Sequence, residues 1–62
     1  MDKEYTFTVD GISYKAVSAG YKEEGAPVYD IEDSEGDFID SVAVHPKRDV
    51  TAQLSQAVYD NL

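Results

Sequence analysis

Residues 5–16 read Tyr5-Thr6-Phe7-Thr8-Val9-Asp10-Gly11-Ile12-Ser13-Tyr14-Lys15-Ala16. Apolar and polar side chains alternate on both sides of Asp10-Gly11. An Asp-Gly pair between two alternating runs specifies a β-hairpin with a two-residue turn. That turn pairs Val9 with Ile12, Phe7 with Tyr14 and Tyr5 with Ala16. Every apolar side chain then falls on one face, and Thr6, Thr8, Ser13 and Lys15 on the other. A slip of one residue would turn one strand's apolar set to water, so pattern and turn fix the same register.

Working outward, the second strand continues through Val17 toward Tyr21. Lys22 to Pro27 reads as a polar connector punctuated by Gly25 and Pro27. A second hairpin follows: Val28 to Asp33, a three-residue loop Ser34-Glu35-Gly36, and Asp37 to Val44. Gly36 suits the left-handed position of such a loop. In this register Asp33 faces Asp37, Ile31 faces Ile39 and Asp30 faces Asp40. Val42 and Val44 would then point away from Ile39, so a bulge near Asp40-Ser41 is expected to return them to the core and leave Phe38 outside. His45-Pro46 ends the strand, because proline cannot donate to a ladder. Asp49 suits a helix N-cap, and Val50, Leu54, Ala57 and Val58 form one stripe at helical spacing, with Leu62 at its margin. The expected helix runs from Val50 to Asn61.

The predicted fold is α+β: a four-stranded antiparallel meander of two successive hairpins with one C-terminal helix packed on one face. The expected core is Tyr5, Phe7, Val9, Ile12, Tyr14, Ile31, Ile39, Val42, Val44, Val50, Leu54, Ala57 and Val58. The 62 residues make one domain, 1–62, too short for a second core. The chain has no Cys and one His, His45. Disulfides, thiolate metal sites and a zinc site of the usual ligands are therefore excluded, and no cofactor is implied. Met1 to Tyr5 lacks the cationic start and apolar run of a secretory signal, and no apolar stretch approaches the ~20 residues that span a bilayer. A cytoplasmic location is expected.

Charge is distributed unevenly. Residues 1–22 balance Asp2, Glu4 and Asp10 against Lys3, Lys15 and Lys22, and residues 47–62 balance Lys47 and Arg48 against Asp49 and Asp60. The whole net charge of −8 therefore lies in Glu23, Glu24, Asp30, Glu32, Asp33, Glu35, Asp37 and Asp40. Such a chain repels phosphate backbones and anionic membranes, which argues against direct contact with either. It points instead to a basic protein surface, such as that of a nucleic-acid-binding protein.

No arrangement recommends catalysis. The carboxylates lack an apolar pocket to divide acid from base roles, and His45 has no orienting partner or nucleophile at a telling spacing. No Gly-rich phosphate loop is present. Residues 33–37 superficially suggest an EF-hand loop, but placing Gly36 at its sixth position puts Ile31 where the first carboxylate belongs. The chain is read as a non-enzyme with no metal site.

The expected function is a noncatalytic binding module, an accessory or regulatory protein that docks its acidic second hairpin on a basic partner. Its most specific form is an inhibitor that imitates nucleic acid. Asp30, Glu32 and Asp40 are expected to share one face, with Asp33, Glu35 and Asp37 around the loop. The bland alternative is a solvated surface that merely keeps a small protein soluble. The helix's outer face, Ala52, Ser55, Gln56 and Tyr59, carries no charge. With Phe38 it defines a second expectation, a structural protein that self-associates as a homodimer through strand four and the helix.

Overall fold

The structure, a computed structural model, describes residues 4–62. The start of the amino terminus read above, Met1 to Lys3, lies outside the described residues. Four strands form one antiparallel sheet in the order β1 (Glu4–Val9), β2 (Ile12–Glu23), β3 (Ala26–Asp33), β4 (Phe38–Ala43), followed by α1 (Val50–Tyr59). This is the meander with a C-terminal helix that the alternation specified.

The first hairpin has the expected register, Val9 opposite Ile12, Phe7 opposite Tyr14 and Tyr5 opposite Ala16. Asp10 and Gly11 take φ of 52° and 80°, the left-handed pair that a two-residue turn requires. The expected connector 22–27 is instead a second such turn. Glu24 and Gly25 take φ of 51° and 83°, while Lys22 pairs with Pro27 and Glu23 with Ala26. β2 therefore reaches Glu23, and β3 begins at Ala26 rather than Val28. Proline is tolerated there because Pro27 stands near the strand's start and contributes only its carbonyl, which accepts from the Val44 N–H at 2.9 Å. Between Ser18 and Lys22 the register shifts, with Ala19, Gly20 and Tyr21 opposite Val28 alone. Gly20 has φ of 86° within that irregularity, as a bulge in a long strand commonly needs.

The second hairpin closes as expected and then departs. The Asp33 N–H donates to the Asp37 carbonyl at 2.9 Å and the Gly36 N–H to the Asp33 carbonyl at 3.0 Å. Glu32 faces Phe38, but the next pair is Ile31 with Asp40, so Ile39 is the bulged residue. The slip comes just before the expected Asp40-Ser41. Asp30 consequently faces Ser41 rather than Asp40, and Ile31 faces Asp40 rather than Ile39. Either position restores Val42 and Val44 to the core side, which is why the pattern could not choose between them.

The core consists of Phe7, Val9, Tyr14, Ala16, Tyr29, Ile31, Val44, Leu54, Ala57 and Val58, with Tyr5, Ile39, Val42 and Val50 packed partly buried against it. Ile12, expected inside, is 52% exposed. It sits at the start of β2 beside the turn, while its partner Val9 on β1 is buried. Tyr29 and Ala16 were absent from the expected core. Tyr29 is buried opposite Ser18, its ring 5.4 Å from that of Tyr5 and nearly edge-on at 67°. Ala26 and Val28 are buried too, on the sheet's other face by alternation.

α1 follows the apolar stripe. Asp49 caps it, its Oδ1 accepting from the Ala52 N–H at 3.1 Å, and Leu54, Ala57 and Val58 are its buried residues. It ends at Tyr59, two residues before the expected Asn61. The Gln53 amide seats the helix start, donating to the His45 carbonyl at 2.9 Å and accepting from the His45 N–H at 2.8 Å. Among the described residues no helix is long and apolar enough to cross a membrane.

Candidate partner-binding surface

The register sorts the eight acids by position. Asp30 and Glu32 stand on the outer face of β3, away from the helix, since their neighbours Tyr29 and Ile31 point into the core. Asp30 accepts a 2.7 Å hydrogen bond from the Ser41 hydroxyl across the strand pair. Phe38 stands opposite Glu32 on the same face and is 63% exposed. Glu35 and Asp37 are exposed in the loop beside it.

Two acids serve the loop and the helix end instead. Asp33 Oδ1 accepts the N–H groups of Glu35 at 2.9 Å and Asp37 at 3.0 Å, folding the loop around its own side chain. Asp40 does not share a face with Asp30 and Glu32 as expected. Opposite Ile31 it lies on the helix side, where its Oδ2 accepts from the Asn61 amide at 3.1 Å. The bulge at Ile39 is the cause, because it inverts the parity of every later residue relative to an unbulged strand.

Glu23 and Glu24 leave the group altogether, at the turn on the sheet's opposite end. Residues from the charge-balanced segments take their place. The antiparallel course brings the Asp10-Gly11 turn, the 34–36 loop and the end of α1 to one pole. There the Tyr59 hydroxyl donates to Asp10 Oδ1 at 3.2 Å and Asn61 reaches Asp40. Asp10, Glu35, Asp37, Asp40 and Asp60 collect at this pole, while Lys22, Lys47 and Arg48 lie toward the other. A charge count along the chain could not find Asp10 and Asp60, since the strand order alone places them. The carbonyl end of α1 also points to the acidic pole, with no basic residue in its last turn.

Tyr59, expected on a free helix face, is 49% exposed and tethered to the first hairpin through Asp10. That hydrogen bond, with the charge on Asp10, raises its phenol above the ordinary value. Among the described residues the only ion pair joins Lys15 Nζ to Glu4 at 3.6 Å. Among the described residues none of the acids from Glu23 to Asp40 forms an ion pair with a cation. No group of three His, Cys, Asp or Glu side chains among the described residues is placed to hold a metal ion.

No family model, no curated protein and no solved structure matches this chain.

Proposed function

We propose that this protein is a noncatalytic binding module that docks the outer face of its second hairpin on a basic surface of a protein partner. The observation that carries it is Phe38, an exposed aromatic ring standing on a paired strand beside the carboxylates of Asp30, Glu32 and Asp37, which outnumber the one cation of that face, Lys15 opposite Glu32. A large side chain held outside on a rigid strand contributes contact area at little entropic cost, and aromatic anchors dominate the energetics of interfaces. The carboxylates around it give long-range attraction to Lys and Arg and set the orientation of approach. A partner of matching chemistry has an apolar notch rimmed by cations. A nucleic-acid-binding groove fits that description, and occupying one would make this protein an inhibitor of nucleic-acid binding.

Immobilised protein should retain such a partner from a lysate at low salt and release it as salt rises. The D30N/E32Q/D37N variant should lose the partner, and Phe38→Ala should weaken it with circular dichroism unchanged. Undiminished retention by both variants would refute the reading. Asp40 is left intact because its tie to Asn61 would confound folding with binding.

Self-association through strand four and the helix is favoured by a separate observation. A groove of about 430 Å³ runs between β4 and α1, lined by Val42, Ala43, Ala52 and Ala57 among others. That reading predicts dimerisation indifferent to charge neutralisation on β3. It stands second because side chains blunt the exposed edge of β4: Asp40 Oδ1 takes the Ser41 N–H at 2.8 Å and Gln53 takes both backbone groups of His45.

A further inference from the structure

The sheet has two edges, and they are treated differently. The Val44 N–H bond to the Pro27 carbonyl makes that a hydrogen-bonded pair, so Ser41, Ala43 and His45 turn their backbone groups away from β3. The Ser41 N–H is occupied by Asp40 and both groups of His45 by Gln53, which leaves only the Ser41 carbonyl and Ala43 open on that edge among the described residues. At the other edge, the two-residue turn makes Val9–Ile12 a hydrogen-bonded pair, and alternation turns the backbone groups of Glu4, Thr6 and Thr8 outward. Among the described residues no hydrogen bond reaches them. β1 holds no Lys, Pro or bulge, the usual devices that blunt an edge.

We propose that the free edge of β1 pairs antiparallel with β1 of a second copy of this chain, joining two four-stranded sheets into one. Two observations select a second copy over another strand. The first is charge: residues 1–22 sum to zero, whereas the acids of residues 23–40 lie on β3, on β4, in the loop that joins them and in the β2–β3 turn, none of them on β1. Two chains of charge −8 can meet closely only by their neutral sides, and β1 is the neutral edge. The second is self-complementarity. A two-fold axis at Thr6 sets Thr6 against Thr6 and Glu4 against Thr8 on the outer face. On the core face it sets the half-buried Tyr5 against Phe7 of the second copy, in both directions. Hydroxyl and aromatic cross-strand pairs are favourable. Moving the axis to Phe7 would lose a hydrogen-bonded pair and set Glu4 against Asp10 of the other copy, which like charge opposes.

Sedimentation of the whole chain at physiological ionic strength tests this. The expected result is a mass that doubles with rising concentration, with the Thr6 and Thr8 amides gaining protection from exchange as it does. Thr6→Lys sets two ammonium groups against each other on the axis. Thr6→Pro deletes the outward N–H and spares the bonds to β2. Both variants should stay monomeric with unchanged circular dichroism. A wild-type chain that remains monomeric at millimolar concentration overturns the proposal, as does a dimer that survives both substitutions. A dimer lost only on changing Val42 or Ala52 would place the contact in the β4–α1 groove instead and overturns it equally.

Discussion

Glu24 holds a left-handed backbone at φ 51° with a side chain that has no local use for it. At the matching place in the first hairpin stands Asp10, which tolerates that conformation better and also accepts the Tyr59 hydroxyl. Glu24→Asn should therefore stabilise the fold by about 1 kcal/mol, read as a higher midpoint in urea with unchanged slope. The oddity of Glu at that place is also why the second turn was not legible, since Glu-Gly is no turn signature and Pro27 looks like a breaker. Two phenols give the fold a pH dependence at the alkaline end. Burial first, then the neighbouring Tyr5, raises the Tyr29 phenol, and the bond to Asp10 raises that of Tyr59. Each holds its proton more firmly folded than in the unfolded chain, where tyrosines titrate near ~10. Their contribution is complete below that value and lost as pH climbs through the higher folded values. Melting temperature should fall from about pH 10 upward, and Tyr29→Phe should lessen the fall. A wild-type melting temperature that stays level through that range would contradict the assignment.

Elements form here through agreement between local pattern and what they pack on. The first hairpin was legible to the residue because alternation, turn chemistry and one buried face all constrain the same register. β4 was legible only in outcome. Val42 and Val44 had to return inward and Phe38 had to stay out, but a bulge at Ile39 or at Asp40-Ser41 meets both conditions, and the partners Asp40 gains at the observed one, Ile31 and Asn61, are named by no local pattern. The helix is short enough that propensity alone would not hold it, and Leu54, fully buried, is its main anchor. Leu54→Ala should cost about 3 kcal/mol, more than half the ~5 kcal/mol expected of so small a domain. Helix and sheet should then melt together at a much lower temperature, because each covers the other's apolar face. Separate transitions by far-ultraviolet and tyrosine signals would show them to be independent.

Across the whole molecule, the fold redistributes what the sequence presents as one acidic tract. It sends Glu23 and Glu24 to one end, folds Asp33 into its loop, turns Asp40 to the helix, and recruits Asp10 and Asp60 to the loop pole. The candidate site was therefore legible as chemistry and as a hairpin, but its membership depends on strand order and on one bulge. What survives on the outer face is Asp30 and Glu32 with Phe38, bordered by the loop acid Asp37 and by Lys15 across from Glu32, a small acidic patch with an aromatic centre. Attraction of that kind is screened beyond a Debye length of about 8 Å at physiological salt. The most direct measurement is the affinity of the captured partner as a function of salt, for the wild-type chain and for D30N/E32Q/D37N. The wild-type affinity should fall steeply with rising salt, and the variant should bind more weakly with a clearly shallower dependence. Parallel dependences with equal affinities would contradict an acidic docking surface on the second hairpin.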